Sequence, residues 1–295
     1  MSSMTGSAPD IRALEGSWSS EGRRYAYRLW QPAAAPQALL VILHGFGEHS
    51  GRYVSFAQTL AHQGICVAGP DLWGHGRSGG ARGDLGEVDS GDLRRMTEEV
   101  FLPASGQRSY ALFGHSFGGL FAIQWALAGS AQEPRCLIVQ SPLLDVGFPI
   151  PWWKRAAALT LARVWPRCRL PMDLDVGALS HDPSVGTAYL ADPLVHNRMS
   201  ACTYRSILRV RDDAFARASR LQMPILLLCG AADRIVSVEA AQRWYAQLRA
   251  PKASICFPES YHELHHEPIR EELLRLISRW TLQPGEFVKS SSETS

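Results

Sequence analysis

Ser116, Asp233 and His262 are the residues of this chain whose types and order could drive nucleophilic attack on a carbonyl carbon. Ser116 lies in Gly114-His115-Ser116-Phe117-Gly118-Gly119, preceded by the apolar run YALFG and followed by the helix-forming FGGLFAIQWALA. G-x-S-x-G between a strand and a helix makes a strained corner that lifts the hydroxyl clear of the sheet. The glycines are needed because a side chain there would strike the strand or the helix. As a bare pattern it recurs by chance, and its bland alternative is a glycine-rich turn that only packs tightly.

A serine hydroxyl becomes a useful nucleophile when an imidazole takes its proton and a carboxylate orients that imidazole. On such a strand-corner scaffold the order is serine, acid, histidine. Asp233 follows the apolar run ILLLCG, in Ala231-Ala232-Asp233-Arg234; Asp145, shortly after the preceding strand, competes with it. The base is expected after the last strand, in Pro258-Glu259-Ser260-Tyr261-His262-Glu263-Leu264-His265-His266. His262 is nearest the strand end, whereas His265 and His266 lie further toward the next helix. The same stretch satisfies H-E-x-x-H, a zinc pattern that needs both histidines one turn apart on a helix. A strand directly before it and Pro268 after it put the helix start beyond the motif, so no metal is expected.

A second loop, His44-Gly45-Phe46-Gly47, follows the run LLVIL. In α/β hydrolases a loop here supplies one backbone N–H to the oxyanion, and the residue after the nucleophile supplies the other. The expected donors are the amides of Phe46 and Phe117; losing one such donor typically slows turnover ~10²–10³-fold. The His44 side chain is read as a brace for the loop.

Positioning these groups requires strands, and the sequence offers short apolar runs alternating with helical patterns, the signature of a mainly parallel sheet. Strands are predicted at 24–30, 39–44, 65–70, 110–114, 137–140, 225–230 and 254–257, with helices near 53–63, 89–101, 117–128, 238–249 and 268–280. Continuous rather than alternating apolar strands imply cover on both faces. From about 142 to 219 no strand is evident, so this stretch is predicted to be a mostly helical cap over the carboxyl edge, where open α/β folds bind ligands. The hydrolase core is then 21–141 plus 220–283, with loosely held ends at 1–20 and 284–295.

The 295 residues suffice for one such domain, and a net charge of +2 gives no nucleic-acid footprint. Six scattered cysteines form no CxxC pair, and Cys136, Cys229 and Cys256 sit in apolar runs, as buried reduced thiols do. The first residues, MSSMTGSAPDIRALEG, lack the basic and apolar regions of a signal peptide. No apolar run reaches the ~18 residues of a membrane span. A cytoplasmic protein is expected, at most peripheral to a membrane.

HGFGEHSGRY, DLWGHGRS, GHSFGG, ADRIVS and YHELHHE, in that order over roughly 38–280, resemble the monoacylglycerol lipase and lysophospholipase group of α/β hydrolases. The resemblance implies hydrolysis of monoacylglycerol esters without a cofactor, the alternative being a lysophospholipase or general carboxylesterase. It also implies an acyl channel under the cap and a polar end for the alcohol at Glu48, Arg52, Tyr189 and His265. The chain departs from the group at Phe46, where a small residue is usual, and at Phe117, in place of the common methionine. In the cap, Phe148-Pro149-Ile150-Pro151-Trp152-Trp153-Lys154-Arg155 joins tryptophans to cations, which suits a membrane–water interface; burial of the same helix against the core is the alternative. A non-catalytic binding protein on this fold would predict a broken triad, and here every member is present.

Overall fold

The structure, a computed structural model, describes residues 11–129 and 132–286. Ten strands are introduced in chain order: β1 Arg12–Ser20, β2 Arg23–Gln31, β3 Ala38–Leu43, β4 Ile65–Pro70, β5 Ala111–His115, β6 Cys136–Gln140, β7 Arg169–Pro171, β8 Arg198–Ser200, β9 Ile225–Gly230 and β10 Lys252–Phe257. Eight of them form one sheet in the order β1-β2-β4-β3-β5-β6-β9-β10. β4 onward pair in parallel, and β1 and β2 add an antiparallel edge.

The helices are α1 Val54–His62, α2 Gly91–Met96, α3 Leu102–Ser105, α4 Phe117–Ala128, α5 Trp152–Val164, α6 Pro183–Ala191, α7 Ala201–Arg217, α8 Val238–Gln247 and α9 Arg270–Leu282. Phe56 and Leu60 of α1 join Leu273, Ile277 and Trp280 of α9 in one apolar layer on the sheet. Leu120 and Ile123 of α4, Ile207 and Val210 of α7 and Trp244 of α8 form the other. Buried between these layers, β3, β4, β5, β6 and β9 have no exposed residue, which accounts for their unbroken apolar runs.

Three expectations need correction. Residues 12–20 are not loose: β1 pairs with β2 from Arg12↔Gln31 to Ser20↔Arg23. The rest of that expected loose end, 1–10, lies outside the described residues, as does 287–295 of the tail; 284–286 turn just after α9. The stretch 142–219 is mostly helical but contains the short antiparallel pair β7–β8, and its last helix, α7, packs into the main core. Cys256 is exposed, because β10 is an edge strand with only partial cover.

Candidate active site

Ser116 makes the corner between β5 and α4 by itself. Its φ of +55° and ψ of −119° lie where L-residues rarely go, at a cost of order 1–3 kcal/mol that surrounding bonds must hold in place. The Ser116 N–H donates to the Gln140 carbonyl at 2.9 Å, and its own carbonyl accepts from the N–H groups of Gly119 and Leu143, each at 2.9 Å. Gly118 permits the close approach: a Cβ there would stand 2.1 Å from the Leu43 carbonyl oxygen. His115 and Phe117 on either side are buried, while Ser116 keeps partial exposure.

Asp233 and His262, 29 residues apart, meet with His262 Nδ1 2.7 Å from Asp233 Oδ2. The other carboxylate oxygen accepts the N–H groups of Ile235 (2.8 Å) and Val236 (3.0 Å), which fixes the acid. Burial raises the Asp233 pKa, but the imidazole and these amides outweigh it and hold the group below its ordinary value. Burial likewise lowers His262, and the Asp233 charge and hydrogen bond outweigh it to leave the imidazole above its ordinary value. The His262 ring stands 4.7 Å from that of His115, the residue before Ser116. Ser141, itself at φ +44°, donates its hydroxyl to the His262 carbonyl at 3.0 Å. Gly230 lets the base loop cross the end of β9, since a Cβ there would meet the carbonyl oxygens of Ser260 and Tyr261 at 2.3 Å.

The competitors lie elsewhere. Asp145 is half exposed, bonds the N–H of Val146 and approaches Arg211 at 3.9 Å. His266 faces Glu263 at 3.8 Å, and His265 stacks on Tyr53. The H-E-x-x-H stretch is not an α-helix; only a 3₁₀ turn at Leu264–His266 forms. Glu263, His265 and His266 do bring ligand atoms within 4.8 Å of one another, but both Glu263 oxygens are engaged by Arg52, at 2.6 and 2.8 Å.

In the loop after β3, His44 behaves as a brace. Its Nε2 accepts the Leu72 N–H at 3.0 Å, which leaves the proton on Nδ1 for the Gly45 carbonyl at 2.7 Å. Burial keeps this ring neutral, pushing its pKa down. Phe46 and Phe117 meet edge to face at 5.5 Å. The Phe117 amide opens α4, in the turn whose N–H groups have no partner inside the helix. The Phe46 ring also packs on His75 and His196.

Of the residues assigned to the polar end, Glu48, Arg52 and Tyr189 come together, with the Arg52 guanidinium 4.9 Å from the Tyr189 ring centre. His265 is fully buried, with Nδ1 2.9 Å from the Gln140 amide, and burial pushes its pKa well down. Sequence reasoning missed Gln140, Ser141 and Glu263. Gln140, polar at the end of the apolar CLIVQ, was the visible signal: its amide lies within 3.0 Å of both His115 and His265. The cap is tied to both loops, since His196 N–H donates to the Gly47 carbonyl and Glu263 N–H to the Leu179 carbonyl, each at 2.8 Å.

A mainly parallel sheet with a nucleophile corner, and an acid and a histidine meeting at its carboxyl edge, defines an α/β hydrolase. Residues 34–269 match the family described as serine aminopeptidase, S33, and the chain belongs to that family. It is similar to the monoacylglycerol lipase of Mycolicibacterium smegmatis, 30% identical over 268 residues covering 88% of this chain and 93% of that one. The crystal structure of the Paleococcus ferrophilus monoacylglycerol lipase superposes with a TM-score of 0.77 at 30% identity, covering 92% of this chain and 98% of that one. An abhydrolase domain-containing protein of Dictyostelium discoideum is also 30% identical, over 282 residues, 94% of this chain; the chain spans 30% of that longer protein's length.

Proposed function

We propose that the chain hydrolyses carboxylic esters of single-chain lipids, monoacylglycerols first among them, through an acyl-enzyme on Ser116. The observation that carries this reading is the 2.7 Å contact of His262 Nδ1 with Asp233 Oδ2 beside the strained Ser116 corner. His262 Nε2 takes the Ser116 proton as Oγ attacks the ester carbon, and the amides of Phe46 and Phe117 receive the negative charge on the carbonyl oxygen. The proton then passes to the leaving glycerol oxygen. Water, deprotonated by His262, releases the fatty acid and regenerates Ser116. No cofactor enters this balance. Tyr189, whose hydroxyl lies 3.4 Å from where a Gly47 Cβ would stand, is assigned to the alcohol side.

The family description raises an aminopeptidase reading, which needs a carboxylate able to receive a substrate ammonium. Of the three buried glutamates in these loops, Glu48 and Glu263 are both engaged by Arg52, and Glu267 takes the backbone N–H and ring of His181, which favours the ester.

The lipid is loaded from a membrane surface through α5. Trp152 is 80% exposed and Trp165 64%, with Phe148, Trp153, Leu159 and Val164 exposed beside them. Between Asp145 and Asp173 the chain carries Lys154, Arg155, Arg163, Arg167 and Arg169 and no acid, complementary to anionic headgroups. No helix among the described residues is long and apolar enough to cross a membrane, so the contact is peripheral. The buried free thiols of Cys66, Cys136, Cys202 and Cys229 suit a reducing compartment such as the cytoplasm.

The test is a panel of monoacylglycerols, lysophospholipids, p-nitrophenyl esters and amino-acid p-nitroanilides. The highest kcat/KM is expected on a monoacylglycerol; cleavage of the anilides with no glycerol ester turned over would overturn the reading.

A further inference from the structure

Two loops that must keep a fixed separation for ester attack are joined by one buried guanidinium. The first leaves β3 through Gly45 and Phe46 and carries Glu48 and Arg52; the second leaves β10 and carries His262 and, directly after it, Glu263. Arg52 Nη1 lies 2.5 Å from Glu48 Oε2 and 2.6 Å from Glu263 Oε1, and Nη2 lies 2.8 Å from Glu263 Oε2. Glu48 Oε1 accepts the N–H of Gly45 at 2.5 Å and the hydroxyl of Tyr53 at 2.9 Å. The three charged side chains are 3%, 9% and 2% exposed in the order Glu48, Arg52, Glu263. Every carboxylate oxygen of the pair therefore already has a donor inside the protein, which leaves little capacity to bind a substrate hydroxyl.

The family resemblance would set Glu48 and Arg52 against the alcohol of the substrate. We propose instead that Glu48, Arg52 and Glu263 are positioning residues: a buried ion triad that fixes the peptide unit ahead of the Phe46 amide and locks the His262 loop to it. The inference rests on the ester-hydrolase reading. By holding the Gly45 N–H, Glu48 sets the orientation of the next peptide, whose N–H receives the developing oxyanion. Through Arg52, Glu263 ties the residue before it, His262, to the same frame. An arginine suits this task because its planar fork meets one carboxylate with two parallel bonds while reaching a second, which a lysine point charge cannot do. Such rigid support is what keeps a reacting group within the small tolerance that attack demands. Two carboxylates against one guanidinium also leave an excess negative charge near His262. Burial raises the Glu48 pKa, but the Arg52 charge and the Gly45 N–H act against it, and the carboxyl lies below its ordinary value.

The experiment compares Glu48→Gln, Glu263→Gln and Arg52→Lys with the parent enzyme on two esters of one acyl chain, a monoacylglycerol and a p-nitrophenyl ester that has no glycerol. Positioning predicts a fall in kcat of about 10-fold or more on both esters, with KM within about twofold, because the lost interaction acts only in the transition state. The two glutamine variants keep shape and a hydrogen-bonding oxygen, so they report even if Arg52→Lys folds poorly. A rise in KM confined to the monoacylglycerol, with p-nitrophenyl ester turnover unchanged, would overturn the proposal and return Glu48 and Arg52 to alcohol binding. The parent enzyme reports on the ester reading and the variant-to-parent ratio on the triad, so a failure of one is not mistaken for a failure of the other.

Discussion

At the carboxyl edge of the sheet, His44, Glu48, Asp71 and His262 are all buried, and each is held by hydrogen bonds from its own or a neighbouring loop. On α5 the reverse holds: Trp152 and Trp153 stand in solvent beside Lys154 and Arg155, and only Ala162 is buried. These four side chains find partners inside the protein, with left-handed backbone at Ser116 and Ser141 nearby, while Gln140 Oε1 and His265 Nε2 are buried there without one. The second leaves apolar area uncovered, which a monomeric protein in water has no reason to keep unless something covers it during function. On the proposed reading, chemistry belongs to the region whose side chains are held inside the fold, and substrate delivery to the region whose apolar area is left uncovered.

That contrast can be broken at several points. Ser116→Ala should lower ester turnover about 10⁴-fold or more with an unchanged thermal melt; undiminished turnover would move the chemistry elsewhere. Asp233→Asn should cost about 10³–10⁴-fold in kcat and shift the pH profile. The proposed mechanism needs neutral His262, whose pKa the Asp233 charge holds above its ordinary value against the pull of burial. Activity of the parent should therefore decline as pH falls through a midpoint above about 6.5, and loss of the carboxylate should carry that midpoint toward acid. A midpoint that stays in place in Asp233→Asn would contradict the pairing.

Smaller effects sharpen the other side. Trp152→Ala combined with Trp153→Ala should reduce turnover of monoacylglycerol in anionic vesicles about 10-fold and leave a short soluble ester unaffected. Equal losses on both substrates would place the tryptophans in folding rather than docking. Smallest of all, EDTA should change nothing and His266→Ala should retain activity within about threefold; inactivation by either would reopen the histidine cluster as a metal site or as the base.

How far the sequence could be read follows the same division. The central strands were legible because cover on both faces leaves no alternation to interpret, as in ILLLCG and ALFGH. The corner at Ser116 was legible because its geometry admits glycine almost alone at Gly118. β1 was not: Leu14 and Trp18 point inward, but Gly16 between them breaks the apolar alternation because the Tyr27 ring takes its place, 2.4 Å from a would-be Cβ. The pairing of Arg52 with Glu263 spans 211 residues, and local patterning instead drew Glu263 into a zinc-like motif. Cys256 read as buried because SICF is apolar, yet nothing in four residues says that a strand ends the sheet. Local rules carried the strands and the corner at Ser116; the long-range polar contacts depend on how distant loops meet.

The central claim is tested most directly by reacting the protein with a fluorophosphonate and mapping the labelled peptide by mass spectrometry. Stoichiometric phosphonylation on Ser116, abolished in His262→Ala, is the predicted result. A protein that stays unlabelled, or carries the label on another residue, would contradict it.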